Sequence, residues 1–287
     1  MSGEQQGPVV AIAGERGSFA HAAAAEHFGP GVAILPARDA QAALEAVRSG
    51  RASRVVLPFE STLTGSLHEN FDRLRESGLH IVGEVQTRNS HCLAARPGAS
   101  LAGIRRASAR AEVLARCRRF FDRNPAIEAT ASYGGGLGEL EHLIREGPVS
   151  FAMVAPGFAA RLAGAALLVE ELDDDADWTR SLALAREQGD PALAGKTSLL
   201  FALRNAPGAL HAALGVFAAR GVDLSKIESR PLRGRPWEYA FYLDALGDPR
   251  GAVAEAIEAL RALSEELEVL GSYPDGLRRD EPLARVS

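Results

Sequence analysis

A chain of 287 residues is long for one compact core and ordinary for two or three α/β units, so an internal boundary is expected. The net charge of −5, with 32 basic and 37 acidic residues dispersed along the sequence, gives no basic face of the kind that neutralises a phosphate backbone, which argues against nucleic acid as a partner. The polar start from Met1 to Gly7 lacks the apolar core of a signal peptide, Leu162 to Val169 is too short an apolar stretch to span a bilayer, and Cys92 and Cys117 are too few for a disulfide framework. A cytoplasmic protein without membrane contact is expected.

In chain order, strand-like runs alternate with amphipathic helical stretches: Val9 to Ala13, Phe19 to Phe28, Val32 to Leu35, Ala40 to Val47 and Val55 to Leu57. This βαβαβ rhythm predicts a sheet with helices on its faces. Strands near Ile81 to Glu84, His91 to Ala95 and Val149 to Val154, and a helix over Ala111 to Phe121, continue the mixture. The Gly189-Asp190-Pro191 to Gly195 stretch lacks periodicity and places a domain boundary between Glu187 and Lys196. Beyond it Thr197 to Leu203 reads as a strand, and Pro207 opens a helix striped by Leu210, Leu214 and Phe217 that stops at Gly221. A strand from Val222 to Pro231, a turn at Arg233-Gly234-Arg235, a strand through Tyr239 and Phe241, a helix through Val253, Ile257 and Leu260, and a last strand to Tyr273 complete a βαββαβ order, with a polar tail after Pro274. Two helices on one face of such a sheet leave its other face and edges open to pairing between subunits.

Four segments have the makings of chemistry. Gly14-Glu15-Arg16-Gly17-Ser18-Phe19 lies where the first strand gives way to the first helix, so it is either an anion site at a helix N-terminus or a tight turn capped by Ser18. Pro58-Phe59-Glu60-Ser61-Thr62 projects from a strand end, where α/β ligands bind, or is a helix start capped by Ser61 or Thr62. Asp173 to Asp177 lacks the glycine and late glutamate of a calcium loop and reads as a solvated acidic turn. Beside it, Thr179 and Arg180 pair a hydroxyl with a guanidinium able to recognise carboxylates bidentately. The histidines show no metal-ligand spacing.

Together with Gly83-Glu84, His91-Cys92-Leu93, Pro207-Gly208-Ala209-Leu210 and Glu228-Ser229-Arg230-Pro231, these segments resemble, in order and over roughly residues 8 to 274, the prephenate dehydratase family. The resemblance implies a catalytic region over residues 8–187, built of two subdomains like a periplasmic binding protein with the active site between them, followed by an ACT regulatory domain over 196–274. It implies a lyase that converts prephenate to phenylpyruvate in phenylalanine biosynthesis without a cofactor, inhibited by phenylalanine and assembled as a homodimer or homotetramer. On this reading Thr179, Arg180 and Glu60 are catalytic, Thr179 hydrogen-bonding the departing hydroxyl and Arg180 supporting the anion site. Ser18, Ser61, Thr62 and Arg116 bind substrate, and Ala209, Leu210, Glu228, Ser229, Arg230 and Pro231 bind the effector.

Several positions depart from the family pattern. Its Pro-Ile-Glu-Asn-Ser becomes Pro58-Phe59-Glu60-Ser61-Thr62, its Ser-His-Pro becomes Ala109-Arg110-Ala111, the glutamine before its cysteine becomes Arg116, and its Thr-Arg-Phe ends in Ser181. Arg116 either adds positive charge to the cleft or is a solvated helix residue beside Arg118 and Arg119. Two alternatives therefore stand beside prephenate: the same fold acting on a related substrate such as arogenate, and a catalytically silent sensor of aromatic amino acids.

Overall fold

The computed structural model describes residues 7–232, 234–235 and 237–276. They fall into two compact units, the first made of the chain up to Leu67 together with Gln86–Ser181, the second of His68–Val85 together with the chain from Leu182 onward.

The first unit opens with β1 (Val9–Ala13), α1 (Phe19–Phe28), β2 (Ala33–Ala37), α2 (Ala40–Arg48), β3 (Arg54–Ser61) and the short β4 (Gly65–Ser66). Parallel pairing with β2 and β3 encloses β1, so Val10, Ala11 and Ile12 are wholly buried and the strand reads as one apolar run. Each helix start has its own cap, Ser18 receiving the His21 N–H and Asp39 the Ala42 N–H. α3 (His68–Ser77) belongs to the second unit, and β5 (His80–Arg88) carries the chain back into the first. Polar HENFDRLRES hid α3 from the sequence reading, because only Phe71 and Leu74 mark its apolar face.

The remainder of the first unit contains β6 (His91–Ala95), β7 (Arg106–Ala109), α4 (Ala111–Arg116), α5 (Arg118–Arg123), β8 (Glu128–Ala131), α6 (Leu137–Glu146), β9 (Phe151–Pro156), α7 (Gly157–Ala163) and β10 (Ala166–Val169). Its strands form a sheet in the order β10-β6-β9-β7-β8. Strand alternation sends Leu93 and Ala95 of β6 into one apolar cluster with Ile104 and Val113, and Cys92 and Ala94 into another with Leu140 and Leu143. The single helix expected over Ala111 to Phe121 is broken at Cys117, with φ −118° and ψ 24°. The break frees the Arg116 carbonyl, which accepts the Asp174 N–H at 2.6 Å. β11 (Trp178–Ala185) follows and leaves the first unit after Ser181.

The second unit continues with β12 (Lys196–Ala202), α8 (Ala209–Ala218), β13 (Leu224–Pro231), β14 (Tyr239–Leu246), α9 (Ala252–Arg261) and β15 (Glu266–Tyr273), the expected βαββαβ order. The sheet order is β13-β14-β12-β15, and Phe201, Phe217, Leu243 and Leu260 fill the layer beneath the two helices. Pro207 stands outside α8 instead of opening it. The cap is Gly208 at φ 82°, a left-handed conformation that favours glycine. Arg233, the first residue of the expected turn, lies outside the described residues, as does the tail from residue 277 onward. The second face of the sheet is not left open as expected. Phe71 of α3 packs edge-on against Tyr242, centroids 4.9 Å apart, and the Tyr242 hydroxyl donates to the Phe71 carbonyl at 2.8 Å.

Lys196 begins β12 with no solvent exposure, ion-paired with the equally buried Glu84 of β5 and lying 2.9 Å from Asp275. The Gly276 N–H adds a hydrogen bond to Glu84 at 3.1 Å. Removing one partner strands the other charge in the core. Lys196→Met is expected to cost about 3–5 kcal/mol in urea unfolding, and the double variant Lys196→Met/Glu84→Leu to recover most of that loss.

Candidate active site

The start of β11 sets the geometry. Alternation along an extended strand turns Asp177, Thr179 and Ser181 to one side, where with Phe19, Ser61 and Asn89 they line a cavity of about 220 Å³. The Thr62 N–H donates to the Trp178 carbonyl and the Asn89 N–H to the Asp177 carbonyl, drawing the ends of β3 and β5 to this point. Ser61 is both a turn cap and a cavity residue: its Oγ receives the Leu63 and Thr64 N–H groups at 3.1 and 3.2 Å and donates to Asp177 Oδ1 at 2.7 Å.

Asp177 is the centre of a buried polar network. Its Oδ2 accepts from Arg116 Nη2 at 3.1 Å and from Asn89 Nδ2 at 3.2 Å, and the same Asn89 nitrogen donates to Thr179 Oγ1 at 2.6 Å. Arg116 also places Nε 3.1 Å from Asp173 Oδ1, an ion-pair distance without hydrogen-bond alignment. Asp173 in turn receives the His91 backbone N–H at 2.7 Å and faces His91 Nδ1 at 2.9 Å. Burial alone would raise the Asp173 pKa. The His91 side-chain and backbone hydrogen bonds outweigh it and, with Arg116, hold the carboxyl below the ordinary carboxylate range. The acidic run is therefore not a solvated turn throughout: the side chains of Asp173 and Asp177 are only 6% and 5% exposed. The part-buried Arg116 guanidinium and the buried His91 imidazole explain why those two carboxylates tolerate the interior.

The other residues singled out in the sequence are placed differently. Thr62 Oγ1 accepts the Trp178 N–H at 2.9 Å, pinning β3 to β11 without lining the cavity. Glu60 lies opposite Ser66 in the β3–β4 pairing, and buried Arg180 alternates away from Thr179, so neither lines this cavity. Arg116 stands behind Asp177, also off the cavity wall. Asn89 carried no sequence signal. Asp177 carried one, since it stands two residues before Thr179 and shares its strand face.

A second cavity of about 350 Å³ shares Phe19 and opens on the Gly14–Ser18 loop, with Arg16, Arg110, Gly136 and Glu139 in its wall. Gly17 is at φ 86°, and a Cβ there would lie 3.1 Å from the Ala159 Cβ, so the loop requires glycine. The Gly17 N–H donates to His21 Nδ1 at 2.9 Å; burial, followed by the Arg16 charge, lowers the His21 pKa and favours its neutral form. A Cβ built on Gly136 would meet Glu139 Oε2 at 3.1 Å and Glu15 Oε2 at 3.2 Å, so two carboxylates converge in a wall that also contains two arginines.

In the second unit, Ala209 and Leu210 line a small cavity of about 100 Å³ with Arg204, Trp237, Tyr239 and Phe241. The structure does not bring Glu228 and Arg230 into that cavity. They grip α3, Glu228 Oε1 lying 3.0 Å from His68 Nε2 and Arg230 Nη2 donating to Asp72 Oδ2 at 2.9 Å. Ser229 and Pro231, between and beyond them on β13, are exposed.

Comparison with known proteins matches residues 10–189 to the prephenate dehydratase family and residues 197–265 to the ACT domain. The chain is 36% identical over 285 residues to arogenate dehydratase/prephenate dehydratase 2 of Arabidopsis thaliana, covering 92% of this chain and 72% of that protein. It is 33% identical to the bifunctional chorismate mutase/prephenate dehydratase of Stutzerimonas stutzeri, covering 92% and 73%. Among solved structures, GqqA, described as a novel type of quorum quenching acylase, superposes with a TM-score of 0.79 at 31% identity, covering 93% and 97% of the two chains. The prephenate dehydratase of Arthrobacter aurescens in complex with L-Phe gives 0.76 at 30% identity, covering 93% and 90%. Among the described residues no helix is long and apolar enough to cross a membrane. An α/β region of periplasmic-binding-protein-like topology that carries a dehydratase-type lyase site is thus followed by a small regulatory sheet able to bind an effector, and the chain belongs to the prephenate dehydratase family with a C-terminal ACT domain.

Proposed function

We propose that the chain is a cytoplasmic decarboxylating dehydratase of the arogenate and prephenate pair, with arogenate the better substrate. The observation that carries the choice is the convergence of Glu15 and Glu139 at Gly136, in a wall that also holds Arg16 and Arg110. Arogenate ends in an α-amino acid, whose ammonium suits the paired carboxylates and whose carboxylate suits the arginines. Prephenate offers a keto acid there and gives the two glutamates no cation. The plant relative named for both substrates supports the pair without ranking its members. Prephenate as a second substrate is favoured by the two arginines, which accept the carboxylate common to both compounds.

In either substrate the ring carboxylate leaves as carbon dioxide, and its bonding electrons become part of the aromatic ring. The ring C–O bond breaks, and the departing oxygen takes a proton to leave as water. Aromatisation drives the reaction, and the residues have only to orient the diene and assist the leaving hydroxyl. Thr179, buried and on the cavity wall, supplies that hydrogen bond where little water competes for it. Thr179→Ala is expected to keep its fold and lose about 10²-fold in kcat. Turnover equal to the parent would remove Thr179 from the reaction, and no turnover of either substrate by the parent would leave the sensor reading in its place. Glu139→Gln is expected to raise KM for arogenate about 10-fold while leaving prephenate unaffected, the size of one lost charge-assisted hydrogen bond. An equal effect on both substrates would refute the ammonium site.

Phenylalanine as inhibitor belongs to the same proposal. The aromatic wall of Trp237, Tyr239 and Phe241 beside Ala209 and Leu210 suits a phenyl ring, and the similar Arthrobacter protein is described in complex with L-Phe. Leu210→Arg is expected to abolish calorimetric phenylalanine binding and feedback inhibition together without changing uninhibited turnover. Persistence of inhibition in that variant would place the effector elsewhere.

A further inference from the structure

We propose that Asn89 is a positioning residue that fixes the direction of the Thr179 hydroxyl proton. The inference rests on the proposed role of Thr179 as donor to the leaving hydroxyl. A threonine hydroxyl has one hydrogen and a free rotor, so its usefulness as a donor depends on what its neighbours allow it to do. Asn89 Nδ2 lies 2.6 Å from Thr179 Oγ1 and 3.2 Å from Asp177 Oδ2.

The orientation of the amide follows from its neighbours. Asp177, held by Arg116 at 3.1 Å and Ser61 at 2.7 Å, presents a carboxylate oxygen to Asn89, so the amide nitrogen and not the amide oxygen must face it. That nitrogen bears two hydrogens. One goes to Asp177 and the other to Thr179 Oγ1, which makes the hydroxyl oxygen an acceptor on this side and leaves its own hydrogen no acceptor at Asn89. Because Thr179 lines the cavity, the hydrogen is left to point into the space where the substrate hydroxyl must sit. The chain of contacts from Arg116 through Asp177 and Asn89 thus converts a fixed charge behind the cavity into a direction for one proton at its wall, which is preorganisation of a donor before substrate arrives.

The test compares Asn89→Asp with Asn89→Ala in the full chain, each alone and in a Thr179→Ala background, with kcat and KM measured for both substrates. Asparagine and aspartate have nearly the same shape. The introduced carboxylate, however, is an acceptor 2.6 Å from Thr179 Oγ1 and would capture the hydroxyl proton, whereas alanine only releases the rotor. The expected result is an inverted order, with kcat falling about 10-fold for Asn89→Ala and about 10²-fold or more for Asn89→Asp, while KM changes little. The ratio of the Asn89→Asp kcat to the parent kcat is expected to rise as pH is lowered and the new carboxyl is protonated. Neither substitution should reduce turnover further once Thr179 is already alanine. A packing role would give the opposite order, with the near-isosteric aspartate milder than alanine, and would overturn the proposal. So would an unchanged kcat in Asn89→Ala, or a further loss of similar size in the Thr179→Ala background. Should Asn89→Asp fail to fold by circular dichroism, Asn89→Ala in the two backgrounds decides. A Thr179→Ala enzyme as active as the parent defeats the proposed chemistry itself, whereas an impaired Thr179→Ala beside an unimpaired Asn89→Ala defeats only this inference.

Discussion

Most of the site depends on one buried carboxylate. Asp177 accepts from Ser61 at the end of β3, from Asn89 just beyond β5 and from Arg116 at the end of α4, and it immediately precedes the strand that carries Thr179. A carboxylate that is 5% exposed survives only if its oxygens are filled, and here each partner comes from a different segment. Loss of any one leaves a charge short of compensation and loosens the element that supplied it. Arg116 extends the arrangement to Asp173 and through it to His91, so charge is balanced across several residues instead of within one pair.

This balance also distinguishes the two cavities. Arg116 faces two carboxylates from behind the wall, so the cavity at Thr179 is a place for directed hydrogen bonds and not for a strong positive field. Charges of both signs instead gather around Gly136. Anchoring a charged group and cleaving a bond make different electrostatic demands, and the two cavities differ in that respect.

How much of this was legible in the sequence depended on whether a residue's partner was local. The βαββαβ order was readable because Phe217, Leu260 and Leu243 each repeat with the period of their own element, and Ser18 was readable as a cap because its partner is three residues away. The break at Cys117 was not readable, since it depends on the Asp174 N–H meeting the Arg116 carbonyl from a distant loop. The same holds for the acidic run, where composition suggested solvent and only the positions of His91 and Arg116 put Asp173 and Asp177 inside. Resemblance pointed to Thr179 and to the Glu228–Pro231 motif but not to Asn89, whose two side-chain contacts are to residues 88 and 90 positions away.

The strand that carries Glu228–Pro231 has a mechanical side that the motif alone does not convey. Lys226, Glu228 and Arg230 occupy alternate positions of β13 and meet Phe71, His68 and Asp72, so one strand face holds three residues of α3. His68 follows Leu67 in the chain, and Leu67 lines the Thr179 cavity. Glu228 and Arg230 are thus committed to His68 and Asp72, polar groups of a helix joined by one peptide bond to a residue of the cavity wall.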